Sequence, residues 1–273
     1  MKDVNCKKIR IPRRDGKLIT ALVISPRKKM IDGPLILWLH GGGYFLGMKE
    51  MVFYSRAIEL VKKYNAVVVS PSYRLALFSP YPAALNDSYD TLLFMKNHAK
   101  ELGGNVNQIM VGGESSGGGL AISLSLLARD KKEVNIAYLM PIYPMIDNYD
   151  TPSSVDNHGK VWNTKKNHLA WTIYLRSNDK KEVSPYASPS REKNYKNLPP
   201  TYTFVGDGEP FFSETCTYIE NLKRAGCDAK VDIYPTNIHA FHMLKPHLEI
   251  SKKAIARFNE EFEKARKKYF APN

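Results

Sequence analysis

Short apolar runs alternate with longer amphipathic segments along most of the chain. The runs are rich in Val, Ile and Leu and lie at residues 35–39, 66–70, 109–112, 136–142, 201–205 and 230–234. The amphipathic segments have the apolar period of a helix and lie at residues 52–64, 81–102, 118–129, 211–225 and 246–268. Nearly continuous apolar strands that alternate with helices indicate an α/β protein, with a mostly parallel sheet covered on both faces.

Two further β-prone runs, at residues 7–11 and 17–25, flank Asp15-Gly16 near the N-terminus. An Asp-Gly pair between two such runs is a strong signal for a hairpin turn. We therefore expect an antiparallel pair of strands at one edge of the sheet.

One connection is unusually long, because about fifty residues follow Pro144 before the next strand-like run begins. A structureless loop of that length is uncommon inside a compact domain. Asn163 or Thr164 is suited to cap a helix that ends near Arg176. The apolar residues of this predicted helix are Leu169, Trp171, Ile173, Tyr174 and Leu175.

We interpret residues 146–198 as a helical lid, inserted into a core that residues 1–145 and 199–273 form together. The alternative is a second packing layer that takes no part in binding. The aromatic content of the segment favours the first interpretation, a lid that covers a binding site.

Length and composition fit one large domain, since 273 residues with 43% hydrophobic content can bury a sizeable core. No apolar run approaches the roughly 18 residues of a membrane span, and no apolar signal segment follows Met1. We therefore expect a soluble, cytoplasmic protein.

Three cysteines without a C-x-x-C pair, namely Cys6, Cys216 and Cys227, indicate neither a disulfide framework nor a zinc site. No metal ion and no cofactor are expected.

The formal net charge of +13 raises the question of a nucleic-acid or anionic-surface partner. The lysine pairs are spread along the chain, mostly near predicted helix ends, where cations complement the helix dipole. No basic and aromatic binding module accompanies them. We therefore expect a solvated basic surface that binds neither nucleic acid nor membrane. The oligomeric state is open, and a homodimer is compatible with the sequence.

Candidate chemistry begins at Ser115, in the pentapeptide Gly113-Glu114-Ser115-Ser116-Gly117. The pentapeptide stands between a strand-like run and a helix-like segment, the context in which a G-x-S-x-G serine acts as a nucleophile. A chain of this composition contains such a pattern by accident roughly once in fifteen cases. The second motif, His40-Gly41-Gly42-Gly43 after residues 35–39, has a random chance of about two in a thousand.

A serine hydroxyl needs a general base and a group that orients the base. In the strand, turn and helix arrangement typical of the α/β-hydrolase fold, the chain order is serine, acid, histidine. His239 lies in a loop after the last strand-like run, whereas His242 and His247 fall on or near the next helix. Asp207 and Glu209 both follow the strand-like run 201–205, and spacing alone does not choose between them. Glu214 lies within a predicted helix and is a weaker candidate.

The oxyanion of an acyl-transfer reaction needs N–H donors. Gly42 and Gly43 are suited to supply two of them, and Ser116, which follows the nucleophile, supplies a third. The glycines could instead form a simple turn or a phosphate-binding loop. Neither G-x-G-x-x-G nor G-x-x-x-x-G-K-[ST] is completed, so nucleotide binding is disfavoured.

Several motifs occur in one order along the chain: His40-Gly41-Gly42-Gly43-Tyr44, Tyr73-Arg74-Leu75-Ala76, Tyr81-Pro82-Ala83-Ala84, Gly113-Glu114-Ser115-Ser116-Gly117-Gly118, Leu198-Pro199-Pro200-Thr201 and His239-Ala240-Phe241. Together they resemble the hormone-sensitive-lipase-like branch of the α/β-hydrolase esterases, from about residue 35 to the C-terminus. The resemblance implies an α/β-hydrolase fold with an inserted helical lid.

The resemblance also bears on the acid. The family's catalytic aspartate usually opens a D-P-[LF]-x-x-[DE] stretch about thirty residues before the histidine. Here the stretch reads Glu209-Pro210-Phe211-Phe212-Ser213-Glu214, which favours Glu209 over Asp207. The chain departs from the family in this glutamate, in Glu114-Ser115-Ser116 for the commoner Asp-Ser-Ala, and in a short segment before His40.

The resemblance implies a carboxylesterase for short acyl esters, with Ser115 as nucleophile, His239 as base and Glu209 as orienting acid. Its partner would be a small-molecule ester. An amidase, a peptidase-like enzyme or a sugar-ester deacetylase could use the same residues, and a noncatalytic receptor on this fold is a less favoured alternative. The residues that we expect to line the substrate pocket are aromatic: Tyr44, Phe45, Trp162 and Trp171.

Overall fold

A computed structural model describes residues 4–27, 32–176 and 183–273. A single sheet of eight strands crosses these ranges. In chain order the strands are β1 (Val4–Pro12), β2 (Leu18–Pro26), β3 (Gly33–Leu39), β4 (Val67–Pro71), β5 (Gly104–Glu114), β6 (Tyr138–Ile142), β7 (Thr201–Gly206) and β8 (Ala229–Tyr234).

The strand order across the sheet is β1-β2-β4-β3-β5-β6-β7-β8. The strands from β4 to β8 in this order are all parallel, while β2 is antiparallel to both of its neighbours. Strands β3 to β7 are almost entirely buried because helices cover both faces of the sheet. The predicted parallel sheet with an antiparallel edge is confirmed.

The antiparallel edge is the hairpin expected at Asp15-Gly16. Strands β1 and β2 pair from Val4 opposite Pro26 to Pro12 opposite Leu18. Gly16 has a φ of 79°, a left-handed conformation that glycine adopts without steric cost. The turn residues therefore determine the position of the hairpin.

Two hydrophobic cores lie on opposite faces of the sheet. In chain order the helices are α1 (Ala57–Tyr64), α2 (Ala83–Asn97), α3 (Ala99–Leu102), α4 (Ser116–Lys131), α5 (Thr164–Leu175), α6 (Phe212–Arg224), α7 (Phe241–Leu244) and α8 (Glu249–Lys268). Helices α1 and α8 cover one face with α7. Helices α2, α3, α4 and α6 cover the other, and α5 adds its buried side chains to that second core.

Two predicted helices are interrupted. The segment predicted as one helix over 52–64 is a 3-10 helix, Lys49–Tyr54, followed by α1. The Ser55 hydroxyl donates to the Val52 carbonyl at 2.8 Å and accepts from the Ala57 N–H at 3.1 Å, so it replaces helical backbone bonds. The segment 81–102 is divided into α2 and α3 at His98.

The long connection between β6 and β7 contains α5, close to the bounds expected from the sequence. The side chain of Asn163, not that of Thr164, caps the helix by accepting from the Lys166 N–H at 3.1 Å. Helix α5 buries Asn167, Ala170, Trp171 and Tyr174, whereas Leu169 is 54% exposed. The prediction that Leu169 belongs to the apolar, buried face of α5 is therefore wrong. The role of residues 146–198 as a lid stays a prediction.

Candidate active site

The turn between β5 and α4 holds Ser115 at the carboxyl edge of the sheet. Its φ of 58° and ψ of −123° lie in a region that residues with a side chain rarely adopt. A Cβ on Gly113 or Gly117 would stand 2.5 or 2.2 Å from the Leu39 carbonyl oxygen. Glycine is therefore required at both ends of the pentapeptide, because the backbones of the turn and of β3 touch there.

His239 lies in the loop between β8 and α7 and reaches Ser115 across 124 residues of sequence. Its Nε2 is 2.9 Å from Ser115 Oγ, and its Nδ1 is 2.5 Å from Glu209 Oε2. Ser115 is 7% exposed and His239 is 4% exposed, while Glu209 is fully buried. The imidazole therefore lies between the hydroxyl and a carboxylate, away from bulk water.

The turn after β7 decides which carboxylate meets the histidine. Glu209 Oε1 accepts from the Gly206 N–H at 2.9 Å, so the backbone holds the glutamate while its second oxygen faces His239. Asp207 is exposed and accepts from the Thr236 N–H at 3.0 Å. Glu214 lies further along in α6 and bonds to backbone N–H groups. Of the three candidate acids, the structure brings only Glu209 to the imidazole.

The other two candidate histidines stand apart from Ser115. His242 is buried, with its Nδ1 3.3 Å from the Tyr143 hydroxyl, and burial holds its pKa well below the usual range. His247 is exposed. His242 is therefore a neutral packing residue and His247 a surface residue.

The Gly-rich loop after β3 lies against the serine turn, where a Cβ on Gly41 would be 3.3 Å from the Ser115 Cβ. Gly42 and Gly43 have φ values of 124° and 61°. Across the described ranges, neither of their N–H groups donates a backbone or side-chain hydrogen bond. Ser116 is the first residue of α4, where an N–H has no acceptor within the helix. Three N–H donors in the loop and turn at Ser115 are thus without an acceptor among the described residues.

The side chains of His40 and Tyr73 hold this loop, a role that the sequence motifs alone did not assign to them. The His40 ring stacks on Tyr73 with ring centroids 4.2 Å apart, and its Nδ1 is 2.8 Å from the Gly41 carbonyl oxygen. The Tyr73 hydroxyl donates to the His40 carbonyl at 2.6 Å. Burial lowers the pKa of His40 to about 4, so the ring is neutral. The sequence signal was present, since both residues belong to the shared motifs.

Glu114 is a buried carboxyl directly before Ser115. Its Oε2 accepts from Trp38 Nε1 at 2.8 Å, and its Oε1 is 3.4 Å from the Arg56 backbone N–H. Burial raises the pKa of Glu114 to about 7 despite these donors. The sequence alone did not indicate this role, because the partners Trp38 and Arg56 lie 76 and 58 residues away.

The four aromatic residues expected to line the pocket divide into two pairs. A Cβ on Gly43 would lie 2.6 Å from the Trp162 ring and 3.0 Å from the Phe45 ring, so both rings stand beside the loop. The Trp162 ring centroid is also 6.4 Å from that of His239.

Tyr44 and Trp171, the second pair, are core residues. Tyr44 is fully buried, stacks on Tyr174 at 4.0 Å between ring centroids and donates to the Met145 carbonyl at 2.8 Å. Trp171 packs on the same two tyrosines. The structure therefore places this pair in the core and does not bring it to Ser115.

The part of the chain that the structure describes contains neither a metal-binding cluster nor a membrane-spanning helix. In the ranges 4–27, 32–176 and 183–273, no three His, Cys, Asp or Glu side chains are grouped to hold a metal ion. No helix within them is long and apolar enough to cross a bilayer.

A family model described as an alpha/beta hydrolase fold matches residues 36–243. An AB hydrolase superfamily protein of Schizosaccharomyces pombe is 30% identical over 83% of this chain and 70% of its own length. A carboxylesterase of Mycobacterium tuberculosis is 28% identical over 76% of this chain and 66% of its own length. An arylesterase of Saccharolobus solfataricus is 27% identical over 80% of this chain and 71% of its own.

Solved structures of esterases are also similar to this chain. A bacterial heroin esterase superposes with a TM-score of 0.90 at 30% identity, over 97% of this chain and 84% of its own. An esterase of Pyrobaculum calidifontis superposes with a TM-score of 0.83 at 33% identity, over 93% of this chain and 83% of its own.

Glu114→Gln tests the buried carboxyl. The pKa of Glu114 is raised from an ordinary 4.5 to about 7 in the folded protein, so the unfolded chain releases this proton first as the pH rises. The folded state therefore loses stability through that window, by roughly 3 kcal/mol at most. Urea denaturation at pH about 5 and about 8 should show wild type losing unfolding free energy relative to Glu114→Gln. An equal difference at both pH values would contradict the assignment.

Proposed function

The chain belongs to the α/β-hydrolase fold family, in its hormone-sensitive-lipase-like branch, and on this basis we propose a serine carboxylesterase that hydrolyses short acyl esters. The esterases among its relatives support ester hydrolysis as the reaction. The observation that carries the proposal is the His239 ring, which contacts Ser115 Oγ with one nitrogen and Glu209 Oε2 with the other.

In the first half-reaction Ser115 Oγ attacks the ester carbonyl carbon, and His239 Nε2 accepts the hydroxyl proton. The bond from that carbon to the alcohol oxygen then breaks, and His239 gives the proton to the departing alcohol. The acyl group stays on Ser115. In the second half-reaction water attacks the acyl carbon, His239 takes a proton from it and returns one to Ser115 Oγ, and the carboxylic acid leaves.

Glu209 orients His239 and stabilises its charged form. Its Oε2 accepts the Nδ1–H, so that Nε2 is left free to accept the serine proton. The Gly206 N–H fixes the other carboxylate oxygen, which keeps the longer side chain of glutamate in place. The extra methylene relative to aspartate is thereby accommodated.

The free N–H groups of Gly42, Gly43 and Ser116 would hold the negative oxygen of the tetrahedral intermediate. Donors fixed in advance stabilise developing charge without reorganisation, and one such donor is worth about 3 kcal/mol. The neutral ring of His40 and the Tyr73 hydroxyl keep the loop in position.

Crowding beside Gly43 supports a preference for short acyl chains. The Trp162 and Phe45 rings lie against the Cα of Gly43, where an added Cβ would be 2.6 and 3.0 Å from them, and rings this close to the Gly-rich loop would shorten the acyl pocket. Trp162 belongs to the segment 146–198, so this segment would act as a lid that limits the pocket.

Ser115→Ala should lower the hydrolysis of p-nitrophenyl acetate by about 10⁴-fold or more, because the variant has no nucleophile. A fluorophosphonate probe should label wild type and not Ser115→Ala. Ser123→Ala is the matched control, since this buried hydroxyl on α4 has no partner among the described residues. Equal rates for wild type and Ser115→Ala would remove the assignment, and an unlabelled wild type would favour a receptor.

Glu209→Ala and Asp207→Ala separate the two carboxylates. Glu209→Ala should lower kcat by about 10³- to 10⁴-fold because His239 loses its acceptor. Asp207→Ala should stay within about threefold of wild type, since Asp207 bonds only at the turn surface. A larger loss at Asp207 would overturn the choice of acid.

Trp162→Ala should widen the pocket. We expect the ratio of kcat/KM for octanoate to that for acetate, measured with p-nitrophenyl esters, to rise about tenfold, in line with a few buried methylenes. Leu169→Ala is the control, because this residue lies on the exposed side of α5. An unchanged ratio in Trp162→Ala would show that the indole does not limit chain length.

A further inference from the structure

Glu214 is a buried carboxyl that the proposed reaction does not use. It is the third residue of α6, five positions after Glu209. Its Oε1 accepts from the Ile146 N–H at 2.6 Å and lies 3.3 Å from the Asp147 N–H. Helix α6 is thereby tied to the backbone that leaves β6.

The same stretch of backbone also holds the serine turn. The Ser115 N–H donates to the Ile142 carbonyl at 3.0 Å, and the Met145 N–H donates to the Ser115 carbonyl at 3.1 Å. The bonds to Ile146 and Asp147 follow directly along the chain. Hydrogen bonds therefore connect the backbone of Ser115 to α6 through fewer than ten residues.

A second tie holds the turn that carries Glu209. The Ser153 hydroxyl donates to the Pro210 carbonyl at 2.8 Å and accepts from the Ser213 N–H at 2.9 Å. Pro210 follows Glu209 directly, and Ser213 is the second residue of α6. We call the residues from Glu209 to the start of α6 the acid turn. The segment that begins at Ile146 thus holds the acid turn and α6 in two places, through Glu214 and through Ser153.

We propose that Glu214 is a positioning residue that sets the distance between the serine turn and the acid turn, and so keeps Glu209 on His239. This inference rests on the proposed function. Hydrogen bonding weakens steeply with displacement, and a shift of about 1 Å at a catalytic group can cost a hundredfold in rate. A side chain that never meets the substrate would therefore affect the chemical step.

The form of the carboxyl that makes this tie is the neutral one. Burial, the largest cause, raises the pKa of Glu214 well above its usual value. Its Oε2 has no partner among the described residues, and the residue lines a cavity of about 120 Å³. Glutamine can therefore replace the neutral acid with little change, since it keeps the carbonyl acceptor. Methionine keeps most of the volume and removes the acceptor.

The test compares Glu214→Met and Glu214→Gln with Thr215→Val, a matched control at a buried hydroxyl that has no partner among the described residues. Glu214→Met should lower kcat for p-nitrophenyl acetate, and the rate of fluorophosphonate labelling, at least tenfold. Its KM should stay within about twofold of wild type, because the substrate contacts are unchanged. Glu214→Gln and Thr215→Val should keep kcat within about threefold of wild type.

Ser153→Ala removes the second tie at a half-buried position and covers the case in which Glu214→Met does not fold. It should lower kcat three- to tenfold at unchanged KM. A folded Glu214→Met with a lower Tm but wild-type labelling would show a merely structural role and overturn the inference. So would wild-type kcat in Ser153→Ala. Wild type that resists labelling at Ser115 would overturn the proposed function, and this inference with it.

Discussion

Close contact between two backbones, that of the serine turn and that of the end of β3, is the constraint on which the site depends. The Leu39 carbonyl oxygen occupies the space that a Cβ on Gly113 or Gly117 would need. Ser115 can hold its unfavourable φ because β5 lies in the middle of the sheet, bonded to β3 and β6. A rigid central strand thus supports a strained residue, as is common where reactive side chains must be presented.

The direction of the strands brings the remaining groups to that turn. Parallel strands end at the same edge, so the loops after β3, β5, β7 and β8 converge there. These loops carry the Gly-rich motif, Ser115, Glu209 and His239 respectively. Ser115 and His239 are far apart in sequence. Their side chains meet because Ser115 follows the carboxyl end of β5 and His239 follows that of β8.

Burial has opposite consequences for the ionisable groups around the site. His40 and His242 have lowered pKa values and are neutral, and Glu114 and Glu214 have raised ones, because the charged form of each is poorly solvated. His239 is buried as well, but its Nδ1 faces a carboxylate, whereas Nδ1 of His40 faces the Gly41 carbonyl oxygen and Nδ1 of His242 faces the Tyr143 hydroxyl. One nitrogen of the His239 ring therefore faces the Glu209 carboxylate, and the other faces the hydroxyl of Ser115.

The sequence determined the alternation of strands and helices, the hairpin at Asp15-Gly16 and the glycine motifs, because each depends on local period or on backbone conformation. It placed Glu209 above Asp207 only by resemblance, since both follow the same strand. Tertiary structure decided which of the two carboxylates meets His239, as well as the burial of Tyr44 and Trp171 and the ties made by Glu214. These depend on which backbone N–H groups and side chains lie nearby in space, and residues far apart in the chain supply them.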